Sequence, residues 1–256
     1  MNEKTWGPAR IWIARLIVVA AFFSMWELTS YRRWIDPILI GRPSGILVFM
    51  YQEIFVTHSL LEDFAYTLAA TLSAFGLGSV CGVLTGMLFV MRPNLEAVLS
   101  PILMALNSMP RIALAPLFLI WFGLGIGSKI ALGFSLTYFI VLTNTVAGGR
   151  GVNPDHITLA QTLGATGGQI FRKFTLPSAV PVIFNGLRLG LVVALLGVIG
   201  GEILASEHGL GGALQLLAAS FKTNGVFGVI IFLAMVGVSI TFGMTWLENR
   251  LLNKWR

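Results

Sequence analysis

The sequence is poor in charge, in cysteine and in any clustering of histidine. Only 11% of its 256 residues are Asp, Glu, Lys or Arg, less than half of the roughly 25% usual in water-soluble domains, and the mean hydropathy is +0.84. A chain with so little charge cannot cover a soluble surface, which excludes an ordinary soluble globular fold. The single cysteine, Cys81, stands inside an apolar run, so neither an intrachain disulfide nor a thiolate metal cluster can form. The three histidines, His58, His156 and His208, are scattered rather than paired at the spacing a zinc-binding H-E-x-x-H helix needs. Neither a G-x-x-x-x-G-K-[ST] phosphate loop nor a G-x-S-x-G nucleophile turn occurs. The expectation is a protein that is no enzyme and carries no cofactor and no metal.

What the sequence has is apolar length. Hydrophobic residues make up 56% of the chain, gathered into runs near 11–29, 64–91, 96–122, 129–147, 178–204 and 225–247. A helix needs about 20 apolar residues to cross a bilayer core of roughly 30 Å, and lipid tolerates no unpaired backbone. The fold class expected is therefore all-α: a polytopic membrane protein of about six transmembrane helices, forming a single domain over residues 1–256. The basic residues before the first run are followed by no small-x-small cleavage site, so this run is expected to stay as a span. The apolar segment 43–58 is interrupted by Gln52 and Glu53 and reads as an interfacial helix starting near Ser44.

In a soluble protein the net charge of +6 would suggest nucleic acid as a partner. Here the basic residues sit at the ends of apolar runs, where membrane topology and anionic lipid account for them, and no nucleic-acid partner is expected. With the N-terminus inside, the inner segments carry Lys4, Arg10, Arg15, Arg92, Arg150, Arg172, Lys173, Arg250, Lys254 and Arg256; the outer ones carry Arg32, Arg33, Arg42, Lys129 and Lys222. The excess places both termini, and the segment 153–177, in the cytoplasm.

Three features inside the runs have more than one reading. Gly78-x-x-x-Gly82-x-x-x-Gly86 is a small-residue stripe for close helix approach, within one subunit or between two. Pro101, Pro110 and Pro116 predict a kinked or broken third run, which serves packing or lines a translocation path. Arg188 either snorkels to the cytoplasmic interface or offers positive charge to an anion, and Arg111, a basic residue in the kinked run, raises the same question; Glu202 either gates the outer end or pairs with a polar neighbour. Other carboxylates within the runs are few, which weighs against an ion-driven secondary carrier. A membrane scaffold without transport is the remaining alternative, and on either reading of the pathway the chain shows no engine.

Residues 153–177 read as a short helix–turn–helix. Asn153 or Asp155 caps the first helix with Pro154 in its first turn, and Gly164 stops it. Thr166 or Gly167-Gly168 starts the second, Pro177 is expected to end it, and Pro181 to open the next span. An apolar face is formed by Leu159, Leu163, Ile170, Phe171 and Phe174. Such a module is either a plain loop or a knob for a cytoplasmic partner.

The module resembles the EAA motif in permease subunits of ATP-binding-cassette importers, which runs E-A-A, three residues, Gly, nine residues, then I-x-L-P. Gly164 takes the glycine, and nine residues later Phe174-Thr175-Leu176-Pro177 takes the I-x-L-P. Thr158-Leu159-Ala160 stands at E-A-A, with only Ala160 matching. The stretches SMPRIALAPLFLIWFGLGIGSKI, LPSAVPVIFNGLRLGL and GEILASEHGLGGAL are similar to the nitrate, sulfonate and taurine branch of these permeases. The resemblance implies a homodimer in the bacterial inner membrane, working with separate ATP-hydrolysing subunits and an extracytoplasmic solute-binding protein to import a small anionic solute. It also implies that Thr158, Leu159, Ala160, Gly164, Ala165, Phe171, Leu176 and Pro177 form the element coupled to the ATPase, with Pro110, Arg111, Arg188 and Glu202 as candidates for path or gate.

Overall fold

The computed structural model describes residues 7–252, and within them every regular element is helical. In chain order the helices are α1 (Pro8–Tyr31), α2 (Pro37–Ile40), α3 (Pro43–Tyr51), α4 (Ser59–Met91), α5 (Pro93–Asn107), α6 (Ala115–Phe122), α7 (Ile126–Arg150), α8 (Pro154–Thr162), α9 (Gly167–Ile170), α10 (Leu176–Leu204), α11 (Leu210–Ala219) and α12 (Thr223–Leu252). Five helical stretches are long and apolar enough to cross a membrane, and six if α5 and α6 together count as one. Lys4, Lys254 and Arg256, used above in the charge count, lie outside the described residues.

The described residues pack as two compact units, one drawn from Met1–Leu61 and Leu214–Phe232, the other from Glu62–Ala213 and Leu233–Arg256. In the first, the start of α3 is held by α1: the Glu27 carboxylate accepts from the Ser44 N–H at 3.0 Å and from its hydroxyl at 2.8 Å. A carboxylate at a helix start satisfies an otherwise orphaned donor and suits the positive end of the dipole. Asn224 Oδ1 accepts the Arg42 N–H at 2.7 Å, joining α12 to the same corner. The segment read as interfacial is α3 followed by a wide π-type turn at Gln52–Val56.

The second unit is built on close backbone approach. A methyl group added at Gly78 would meet Thr137 at 2.7 Å, at Gly82 the Tyr138 carbonyl at 2.9 Å, and at Gly86 Thr145 at 2.6 Å. The glycine stripe of α4 therefore lies on α7, inside one chain, and the ascending numbers on both helices show that the two run parallel. α10 packs on α7 in the opposite sense, with Gly197 against Gly133, Gly190 against Val141 and Gly148 against Ala179 and Val182. Small residues are what such contacts require where lipid provides no hydrophobic drive. Two buried hydroxyls in this core bond to backbone carbonyls: Thr137 donates to Gly133 at 2.9 Å and Thr145 to Val141 at 2.7 Å. One end of this unit thus gathers Val90, Gly149 and Ala179, and the other the starts of α4 and α7 with the end of α10.

The expectation of a kinked or broken third run holds, with one of its three prolines at the break, and the expectation for Pro177 and Pro181 needs correction. The third run bends by 83° between α5 and Arg111–Phe122, but only Pro110 sits at the break. Pro101 lies inside α5, and Pro116 occupies the first turn of α6, where a missing N–H costs nothing. Pro110 breaks the path because it withholds a donor and forces Met109 out of the helical region. α5, at 15 residues, is only about 22 Å long, short of the roughly 30 Å core. Pro177 and Pro181, expected to end one helix and open the next, do neither. Helical backbone runs unbroken from Gly167 to Leu204, with a π-type turn at Phe171–Thr175 leading into α10 and Pro181 inside it. A widened turn lets a ring pass the carbonyl that a tight α-turn would bring against it.

Candidate functional site

The 153–177 module is ordered by its own polar side chains. Asn153 caps α8, its Oδ1 accepting the Asp155 N–H at 2.9 Å, with Pro154 in the first turn. Gly164 ends the helix with φ at +78°, a left-handed conformation that other residues adopt at a cost. Its N–H reaches Gln161 O at 2.9 Å, and the next N–H, from Ala165, reaches Ala160 O at 2.9 Å. Thr166 then opens α9 with a reciprocal capping box to Gln169, satisfying two donors that would otherwise be left open.

This turn leaves apolar surface uncovered. Leu159 on α8 is 60% exposed and Leu163, the residue that caps its C-terminal end, 79%, four positions apart. Ala165 and Phe171 are half-buried, Leu176 is 36% exposed and Pro177 half-buried. Ala160 differs: at 5% exposure it is packed inside, so it shapes the turn from within rather than touching a partner. The Thr158 hydroxyl donates to Pro154 O at 3.0 Å, a bond to its own helix that does not reproduce an outward carboxylate.

The opposite end of the unit holds a buried polar knot. Glu202 is fully buried; its carboxylate accepts from the Thr67 hydroxyl at 2.9 Å and the Gly211 N–H at 2.9 Å. Thr67 Oγ1 in turn accepts the Leu210 N–H at 2.9 Å, and Asp63 Oδ1 accepts the Gly209 N–H at 2.7 Å. Gly209 stands at φ +98°, and a methyl at Gly211 would come within 2.6 Å of Glu202 Cβ, so the loop folds directly over the acid. Lys129, assigned above to an outer loop, is fully buried. Its ammonium donates to Leu124 O and, at 2.7 Å, to Ala205 O. Sequence reading found Glu202 but missed Asp63, Thr67 and Lys129. The available signal was Lys129 itself, three residues inside α7 rather than before it.

The arginines singled out in the sequence have protein partners. Arg111 is 9% exposed; it donates to Ser135 O at 2.6 Å, Leu106 O at 3.0 Å and Asn107 Oδ1 at 3.1 Å, and lies 4.1 Å from the centroid of Phe139. It bonds to Leu106 O beside the break at Pro110 and ties that break to α7 through Ser135 O. Arg188 donates to Asn185 Oδ1 at 2.9 Å and faces Glu248 at 3.4 Å, joining α10 to α12. A further pair, Glu96 with Arg150, links the start of α5 to the end of α7. The structure brings the eight module residues into one segment, sets Glu202 at the other end of the unit, and leaves Pro110 and Arg111 together at the bend. Among the described residues no group of His, Cys, Asp and Glu is placed to hold a metal ion.

The family model for the binding-protein-dependent transport system inner membrane component matches residues 78–253. The chain is similar to the formylaminopyrimidine transport permease protein ThiX of Halalkalibacterium halodurans, 33% identical over 91% of each chain. It is also similar to the putative aliphatic sulfonates transport permease protein SsuC of Bacillus subtilis, 31% identical over 96% of this chain and 88% of that one. Among solved structures, an inward-facing MetNI methionine ABC transporter superposes with a TM-score of 0.67 at 22% identity, over 76% of this chain and 96% of that one.

Proposed function

From the premise that the chain belongs to the binding-protein-dependent transport system inner membrane component family, as the permease subunit of an ATP-binding-cassette importer, we propose that residues 153–177 are where a separate ATP-hydrolysing subunit docks. The chain itself hydrolyses nothing. The observation that carries this reading is the pair Leu159 and Leu163, exposed on α8 and at its C-terminal cap, with the helix start fixed by the Asn153 side chain and its end by backbone N–H bonds around Gly164. Exposed leucines on an ordered turn stabilise the folded chain little, and a complementary apolar groove gives them a purpose. Gly164, Ala165 and Phe171 complete the surface, while Ala160, Leu176 and Pro177 support it.

The end of the second unit that bears this module also carries Arg92, Arg150, Arg172 and Lys173, against the buried Lys129 at the other end. That bias favours the module, and with it both termini, in the cytoplasm. Two copies of the permease form the transport unit, and ATP-driven closure of the ATPase pair moves the two modules together. The unbroken helix from module to Leu204 gives this movement a direct mechanical route to the polar knot around Glu202. The solute is small, and the extracytoplasmic binding protein selects it; Arg111 and Arg188, held by Ser135, Leu106, Asn107, Asn185 and Glu248, contribute to the path as structural residues. The half-buried Asp63 and the buried Lys129 and Glu202 remove the sequence's residue-based objection to an ion-driven carrier, and family membership is what favours the importer.

The test is to purify the tagged permease from its native membrane after mild crosslinking and identify its companions by mass spectrometry, for the wild type and Gly164→Asp. An ATPase subunit recovered with the wild type and lost from an intact, membrane-inserted Gly164→Asp supports the assignment. Equal recovery with both would remove the module from the docking interface.

A further inference from the structure

α5 and α7 face each other along matching helical stripes. On α5 the stripe is Glu96, Ser100, Leu103 and Asn107, and on α7 it is Phe139, Leu142, Val146 and Arg150. The two helices are clamped at both ends by charged groups. Glu96 and Arg150 pair at one end; at the other, Arg111 holds Asn107 Oδ1, Leu106 O and Ser135 O. Eleven residues separate the clamps on α5, about 16 Å of helix. Between the clamps lies a cavity of about 330 Å³, within the roughly 300–1,000 Å³ range of small-molecule sites.

We propose that this groove is a solute-binding site in the permease itself, and that its ligand is an organic molecule with an apolar body and a hydrogen-bond-accepting head rather than a small inorganic anion. The inference rests on the importer assignment above and specifies the solute class. The body is set by the walls: Phe89, Leu103, Leu142 and Val146 give a surface that an inorganic ion cannot use. The head is set by donors that have no partner. Among the described residues the Ser100 hydroxyl makes no hydrogen bond, and Asn107 uses its Oδ1 for Arg111 while its amide N–H groups are unengaged. Both line the groove, two turns and about 10 Å apart on α5, and a sulfonate, carbonyl or ring nitrogen placed at either would satisfy it. The nearby cations are already committed: Arg150 is paired with Glu96, and Arg111, whose terminal nitrogens serve three protein oxygens, does not line the groove. A lipid chain would cover the walls but leave both donors without an acceptor. The bend beside Pro110 and the clamp of Arg111 keep the stripes apart, so the site is present before any ligand arrives.

The experiment uses the permease with its ATPase subunits in lipid nanodiscs, without the binding protein, and saturation-transfer NMR with butanesulfonate, benzamide and nitrate as probes. Wild type is compared with Leu103→Trp, which fills the groove, and Ser100→Ala, which removes a donor with little change in volume. The expected result is binding of butanesulfonate or benzamide with Kd on the order of 1 mM, weakened about tenfold or more in both variants, with nitrate neither bound nor competing. Retention of the ATPase subunits by both variants shows an intact assembly and keeps this test separate from the docking assignment. If the wild type retains its ATPase subunits yet binds neither organic probe, the groove is no solute site. Binding that both variants leave unchanged, displacement by nitrate, or copurified lipid held in the groove of the wild type and lost from Leu103→Trp without effect on the probes would each overturn the inference as well.

Discussion

Replacing Gly164 isolates the module's turn from everything else in the protein. Its φ is +78°, and a Cβ built there meets no atom within 4 Å, so within the permease a new uncharged side chain clashes with nothing and acts through the backbone, whereas Asp also brings a charge to the apolar surface. Holding an L-residue in the left-handed region costs about 1–2 kcal/mol, less for Asn and more for a β-branched residue. That cost falls on the turn carrying the Gly164 and Ala165 N–H bonds to Gln161 and Ala160, while the packing of α4, α7 and α10 is untouched. A penalty of 1–2 kcal/mol is roughly a 5- to 30-fold change in the population of the ordered turn. If that turn is the docked conformation, affinity for the ATPase subunit falls by the same factor. Titrating the ATPase subunit onto nanodisc-held permease by interferometry should therefore give Gly164→Asn close to wild type, Gly164→Ala weaker by about 5- to 30-fold, and Gly164→Val weaker still. Thermal unfolding of the three permeases should stay alike. Wild-type affinity in Gly164→Val would refute the reasoning, and so would a loss of affinity that tracks a fall in melting temperature.

Three other perturbations probe the rest of the account. Glu202→Ala leaves the Gly211 N–H and the Thr67 hydroxyl without their buried acceptor, at about 1–3 kcal/mol for each orphaned donor; a lowered melting temperature in Glu202→Ala, largely restored in Glu202→Gln, is the expected result. Gly82→Ala places a methyl 2.9 Å from the Tyr138 carbonyl and 3.0 Å from Val141 Cβ and should destabilise by about 1–3 kcal/mol, whereas Gly76→Ala, with open space around it, should be neutral or stabilising in the same unfolding assay. A double-mutant cycle on Arg188→Met and Glu248→Gln should return a coupling of about 0.2–1 kcal/mol, because the pair is partly exposed and 3.4 Å apart; a coupling of zero would make Arg188 free to serve the path.

The parts of this molecule that were legible in its sequence are those set by local rules. Apolar run length found the spanning helices, Asn153, Gly164 and Thr166 marked the module's caps, and the Gly78, Gly82 and Gly86 spacing marked a close contact. What the spacing could not supply was the partner helix, since packing on α7 or on a second subunit requires the same small residues. The prolines misled where their neighbours could adapt: Pro177 and Pro181 sit in continuous helix because a π-type turn precedes them, an accommodation that no local propensity encodes. Lys129 was read as an outer cation because charge was assumed to seek water. It is buried instead because two carbonyls, Leu124 O and Ala205 O, come to it from residues 5 and 76 positions away, the second beyond any sequence window. Arg111 was visible as a basic residue beside Pro110, but its use in sealing the break depends on Ser135 and Phe139 from α7.

The central claim is that this permease moves solute with energy from ATP received through residues 153–177. The most direct test reconstitutes the permease, its ATPase subunits and its binding protein in proteoliposomes, and follows solute accumulation with ATP supplied on the side bearing the module. The account predicts accumulation that needs ATP, survives collapse of proton and sodium gradients by ionophores, and is lost when Leu159→Asp and Leu163→Asp are combined. Accumulation that persists without ATP and stops with the ionophore would contradict it and make the chain an ion-driven carrier.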